Sequence, residues 1–100
     1  MIVEGAIMKI ESFRHKGLRA FAETGSLAGI LPSHAHRLKE CLTLLDNAKS
    51  IDDLTREAHP MTRGSALSGL WAMKVSAQWR LVFRMLTENS CSDMDYQNYH

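Results

Sequence analysis

The apolar pattern changes period once along this chain, and that single change limits what the chain folds into. In the first half, apolar side chains recur at helical spacing. Leu18, Phe21 and Ala22 form one stripe, and Ala35, Leu38, Leu42 and Leu45, at i, i+3, i+7 and i+10, form another. Past Leu70 the pattern is that of strands. Residues 70–75 and 79–86 are rich in aromatic and β-branched side chains, with a short turn near Ser76, Ala77 and Gln78 between them. A helix with one apolar stripe must bury it, and strands that alternate apolar and polar residues offer a face to bury it on.

The remaining segments extend this reading. Residues 7–13 alternate in part and predict a first strand with Ile10 and Phe13 toward the core. The first helix runs between His15 and Thr24 and stops at Gly25; residues 25–29 are a loop, and Pro32 or Ser33 opens the second helix. Residues 50–54 predict a short helical turn capped by Ser50, with Asp53 as its third residue. Periodicity fails over residues 55–68, where Pro60, Gly64, Ser65 and Ser68 mark a loop. Residues 87–92 are turn-like, and residues 93–99 are a last strand with Met94 and Tyr96 on one face. The order β-α-α-β-β-β predicts an α+β domain with two N-terminal helices packed on a mainly antiparallel sheet.

One hundred residues fit one domain. Met8 offers a second start, so residues 1–7 read as a start-site extension or tail and residues 8–100 as the domain. No run of about 18 apolar residues exists to span a membrane. Cys41 lies on the second helix's apolar stripe and reads as core; with Cys91 it matches no metal spacing, and a reduced cytoplasm is the simplest setting. Three of the 11 acids, Glu88, Asp93 and Asp95, follow Leu86, and all 12 Lys and Arg precede it. The modest net charge of +1 therefore hides a basic body and an acidic end.

No metal motif, phosphate-cradling glycine loop or nucleophile elbow is present, so no cofactor is expected. His34 and His36 are two apart, diverge on a helix and read as surface residues. Arg14, Lys16 and Arg19 oppose the dipole of the first helix, either as a solvated face or for a surface task. The chemistry-bearing residues left are His59 in the loop, the cations Arg63, Lys74, Arg80 and Arg84, and the terminal Tyr96, Tyr99 and His100. Arg80 and Arg84 share one strand face, where guanidiniums either grip phosphate by paired hydrogen bonds or pair with Asp93, Asp95 or another acid across the sheet. An imidazole at the last position suits proton transfer near neutral pH, and a tyrosine beside it suits stacking on an unpaired base; the competing reading is a frayed terminus.

The sequence resembles the HigB branch of the RelE/ParE toxin superfamily over residues 8–100. The likeness lies in residues 10–18 (Ile-Glu-Ser-Phe-Arg-His-Lys-Gly-Leu), Glu23-Thr24-Gly25, Leu45-Asp46-Asn47-Ala48, His59-Pro60 and Gly69-Leu70-Trp71. It continues through Gln78-Trp79-Arg80-Leu81-Val82-Phe83 and ends on Tyr99-His100. The resemblance implies a ribosome-dependent endoribonuclease that cuts mRNA in the A site by attack of the ribose 2′-oxygen on the adjacent phosphate. It implies His59, Tyr99, His100 and Arg80 as the catalytic set, and Arg63, Arg84, Lys74 and Asn98 on the substrate. It further implies a HigA-like helix-turn-helix antitoxin, with operator DNA reached only through that partner. The same superfamily leaves two alternatives: a non-enzymatic ParE-like toxin that binds a protein, and a weakened member kept as partner or co-repressor. Three positions differ from the usual pattern. Asn98 stands where many relatives have Asp, Arg63 follows His59 where a lysine is common, and Ser76 occupies a position that is arginine in some relatives. An amide orients by hydrogen bonding but is no base, and a guanidinium keeps its proton.

Overall fold

The computed structural model describes residues 8–54, 56–61 and 69–98. The elements are β1 (Lys9–Ile10), α1 (Lys16–Thr24), α2 (Ala35–Asn47), β2 (Ala58–Pro60), β3 (Leu70–Lys74), β4 (Trp79–Thr87) and β5 (Ser90–Asn98), with 3-10 turns at Pro32–His34 and Ile51–Leu54. The strands form one sheet in the order β1-β5-β4-β3-β2. β1 runs parallel to β5 and every other neighbouring pair is antiparallel.

Alternation along β4 sets the two faces of this sheet. Trp79, Leu81, Phe83 and Met85 join the core with Leu18 of α1 and with Leu38, Cys41, Leu42 and Leu45 of α2. Arg80, Val82 and Arg84 therefore point to the opposite face. Leu18, Leu38, Leu45, Leu81 and Phe83 are fully buried, so the expected stripes of both helices meet the expected strand face. Burying each such side chain stabilises the fold by roughly 1.5–3 kcal/mol. Cys41 and Cys91 are both buried and free.

The helix ends follow local chemistry. His15 is the N-cap of α1, its Nδ1 accepting the Leu18 N–H at 3.0 Å. Gly25 closes the helix at φ 80°, in the left-handed region that suits glycine. The turn at residues 51–54 is 3-10, and its cap differs from expectation. Asp53 Oδ2 accepts the Lys49 N–H at 2.9 Å, one residue further back than Ser50.

Four expectations need correction. The first strand is two residues long, and Phe13 rejoins the sheet only as a single bridge to Met94. The gap lies beside Asp93, whose φ of 55° makes a bulge in β5 and whose N–H donates to Ser12 Oγ at 3.0 Å. The region where periodicity fails contains a fifth strand, β2, so His59 sits on an edge strand and not in a loop. Three residues are too few to show a period, and Pro60 is tolerated because the strand is at the edge. β5 begins at Ser90, three residues before the expected start, since the β4–β5 turn needs only Glu88 and Asn89. Finally, His34 is buried and not on the surface; it ends the 3-10 turn, where its ring tucks beneath β5. The expected extension 1–7 lies outside the described residues.

Candidate active site: a cationic cleft beside the edge strand

On the face away from the helices, register lines up the candidate residues. His59 stands opposite Ala72, Ala72 opposite Val82, and Lys74 opposite Arg80. His59, Lys74 and Arg80 therefore share a face. His59 and Arg80 lie two strands apart, about 10 Å across the sheet and roughly 7 Å along it. A cleft of about 490 Å³ joins them, walled also by Arg37, Arg56 and Glu57.

Arg37, on the first turn of α2, ties this wall together. Its Nε donates to the Lys74 carbonyl at 2.9 Å, its Nη2 to Glu57 Oε1 at 3.2 Å and its Nη1 to Glu40 Oε1 at 2.6 Å. One guanidinium thus links α2, the end of β3 and the segment leading into β2. Burial works against the Arg37 charge, but the bonds to Glu40 and Glu57 outweigh it and hold the group above its ordinary value.

Arg80 is positioned by the β3–β4 turn. Its Nη1 donates to the carbonyls of Ser76 at 2.7 Å and Trp79 at 3.0 Å, which hold the fork at the cleft. Among the described residues no carboxylate pairs with it. A half-buried guanidinium without an acid partner suits an anion. Arg84 shares the face but stands outside the cleft wall, with Nε 4.0 Å from Asp93 Oδ2. Asn98 pairs in register with Trp79, which places it on the helix-covered side at the same end of the sheet. Arg63, Tyr99 and His100 lie outside the described residues. Among the described residues no cluster of three or more His, Cys, Asp or Glu is assembled for a metal.

Behind this end of the sheet is an aromatic cluster. His34 Nδ1 is 2.5 Å from the Tyr96 hydroxyl, and the Trp79 and Tyr96 rings are 4.4 Å apart between centroids. His15 approaches Tyr96 edge-on at 5.4 Å. Burial pushes the Tyr96 hydroxyl above its ordinary value. The cluster anchors the start of β4, next to Arg80, and the last residues of β5.

The sequence reading missed Arg37, Arg56 and Glu57. Arg56 and Glu57 lie three and two residues before His59, a signal that was available; Arg37 reaches the site only through the fold. Residues 11–100 match the family described as RelE-like toxin of type II toxin-antitoxin system HigB. The chain belongs to this HigB-like toxin family. It is also 32% identical over 94 residues to the Endoribonuclease HigB of Proteus vulgaris, covering 91% of this chain and 99% of that relative. As a type II toxin of the HigB-like family it has an antitoxin partner. Among the described residues of this HigB-like chain, no helix is long and apolar enough to cross a membrane.

Proposed function

We propose that this HigB-like toxin is an endoribonuclease that cuts messenger RNA in the ribosomal A site, with the scissile phosphate in the cleft between His59 and Arg80. The observation that carries the reading is the cleft itself, where a histidine shares one sheet face with Lys74 and Arg80, cations that no acid pairs with among the described residues. RNA cleavage of this kind needs no other reactant. The 2′-oxygen bonds to phosphorus while the bond from phosphorus to the 5′-oxygen breaks. A base takes the 2′ proton, an acid supplies a proton to the leaving oxygen, and the products are a 2′,3′-cyclic phosphate and a 5′-hydroxyl. Two imidazoles, His59 and His100, carry the two protons. Arg80 stabilises the charge that builds on the phosphorane oxygens, with Lys74 beside it and Arg63 in support. Tyr99 stacks on a base, and Arg84 meets RNA further along the face; Asn98, on the helix-covered side, stands off the phosphate path. Only RNA supplies the 2′-hydroxyl.

The antitoxin in this proposal is a HigA-like helix-turn-helix protein, and the pair reaches operator DNA through it. The setting is the cytoplasm, where translating ribosomes are.

The test is induction of the wild type, His59→Ala and His100→Ala, with mapping of mRNA 5′ ends in translating extracts. Wild type is expected to arrest growth and produce new 5′-hydroxyl ends within codons, and both variants to lose them. Arrest without new ends sinks the nuclease reading. Ends that persist on naked RNA remove the ribosome requirement, and equal cleavage by both variants removes the proton-transfer assignment.

A further inference from the structure

The cleft holds more positive charge than one phosphate needs. Four cations, Arg37, Arg56, Lys74 and Arg80, line it against a single carboxylate, Glu57. Arg37 is already bonded to Glu57 and Glu40. Arg56, Lys74 and Arg80 remain, and among the described residues none of them is paired with an acid. A phosphodiester carries one negative charge, and Arg80 with Lys74, cross-strand neighbours, suffices for it. Arg56 is exposed, precedes β2 on the far wall of the cleft, and makes no hydrogen bond or ion pair among the described residues. Among the described residues, no acid accounts for a cation there.

We propose that Arg56 forms a second phosphate subsite, which holds the RNA phosphodiester adjacent to the scissile one. This rests on the cleavage reading and adds to it a specific contact. Arg80 and Lys74 grip the scissile phosphate at the β3–β4 end. Arg56 grips its neighbour across the cleft, and the intervening ribose is thereby held against His59. A guanidinium suits this task because its planar fork bonds two phosphate oxygens at once. The subsite contributes to binding and to register of the strand, and takes no part in proton transfer.

The test is single-turnover cleavage of mRNA in programmed ribosomes by wild type and Arg56→Gln, across a toxin titration and between ~50 and ~200 mM salt. A second substrate carries a neutral methylphosphonate at the linkage next to the scissile one. Arg56→Gln is expected to melt like wild type, to need about five- to tenfold more toxin for half-saturation, and to keep its maximal rate. The slope of log affinity against log salt should fall by about 0.7, one phosphate contact on a single strand. The methylphosphonate should weaken wild type by the same factor and leave Arg56→Gln unchanged. An Arg56→Gln protein with wild-type affinity and slope overturns the subsite. So does a methylphosphonate that weakens both proteins equally, since Arg56 would then hold some other phosphate, such as one of ribosomal RNA. Failure of the wild type to cleave overturns the cleavage reading itself, and the subsite with it.

Discussion

Gly17 and Gly29 make a close backbone approach between the first helix and the loop that follows it, and substituting them tests how tightly the helices are set. A Cβ on Gly17 would lie 2.6 Å from both the Cα and the carbonyl oxygen of Gly29, and a Cβ on Gly29 would lie 2.4 Å from Gly17 Cα. Carbon atoms in contact prefer about 3.5–4.0 Å, so each new methyl is roughly 1 Å too close. The obstacle is backbone and cannot swing aside, and Ile30, next to Gly29, is a core residue. Neither glycine has positive φ, so backbone conformation adds no penalty. Two effects compete in Gly17→Ala. Alanine gains at most about 1 kcal/mol of helix propensity, and less in a first turn. Overpacking of this kind costs typically 1–3 kcal/mol. The clash wins, for a net loss of about 1–2 kcal/mol, or a Tm lower by roughly 4–15 °C in a domain of this size. Thermal and urea melts followed by circular dichroism read it directly. Gly25→Ala serves as the contrast, since it has open space but a φ of 80°, and its loss arises from conformation alone. The double variant Gly17→Ala/Gly29→Ala should lose less than the sum of its parts, because one displacement relieves both clashes. A Gly17→Ala protein as stable as wild type, or more so, refutes the close approach.

Tyr96→Phe removes the hydroxyl beside the buried Nδ1 of His34 and should cost about 1–3 kcal/mol in urea melts; a loss under about 0.5 means that His34 finds another partner. Burial pushes the Cys41 thiol up to about 11 and the Cys91 thiol to about 12. At pH 8 both should resist a thiol reagent until the chain unfolds, and labelling at a free-thiol rate without unfolding would contradict their burial. The folded chain keeps protons that the unfolded chain releases above its own thiol pKa, so stability should fall as pH rises from about 9 through 11, by up to about 1.4 kcal/mol per unit for each thiol. Arg37→Ala breaks half-exposed ion pairs worth at most about 1 kcal/mol each, yet it frees Glu57 and the approach to β2. Its maximal cleavage rate should fall on the order of tenfold to a hundredfold, with Arg37→Lys failing to restore it; an unchanged rate shows that β2 holds His59 unaided.

The fold was legible wherever a segment was long enough to repeat its period. Leu38, Leu42 and Leu45 mark a helix face over two turns, and Trp79, Leu81, Phe83 and Met85 mark a strand face over several alternations. β2 has three residues and no period to read, so His59 appeared to lie in a loop. His34 was misread because spacing along a helix says nothing of the tighter 3-10 turn that aims its ring inward. The shared face of Arg80 and Arg84 follows from alternation alone, but their different fates depend on Asp93. Its left-handed φ makes the bulge that sets the register of β5, and with it which acid lies beside Arg84. Such a bulge has only a weak local signature. Arg37 enters the site across more than thirty residues of chain, through a hydrogen bond to the Lys74 carbonyl, and no local pattern announces that.

The uneven charge of the sequence acquires a direction on the sheet. On the open face, His59, Lys74 and Arg80 occupy β2, β3 and the start of β4, while Asp95 stands opposite Val82 on β5 and Asp93 beside Arg84. Asp95 accepts from the Tyr96 N–H at 2.9 Å and the Gln97 amide at 2.8 Å, and among the described residues it forms no ion pair with Arg80. The acids on β5 repel a polyanion from that half of the face, and the cations on β2 and β3 attract it to the other. Under the proposed function, this gradient biases an RNA strand toward the cleft side, where Arg56 and Arg80 lie, and leaves Arg84, beside Asp93, at the margin of the path. The acidic end that makes the net charge look unremarkable is thus part of what gives the basic half its selectivity of position.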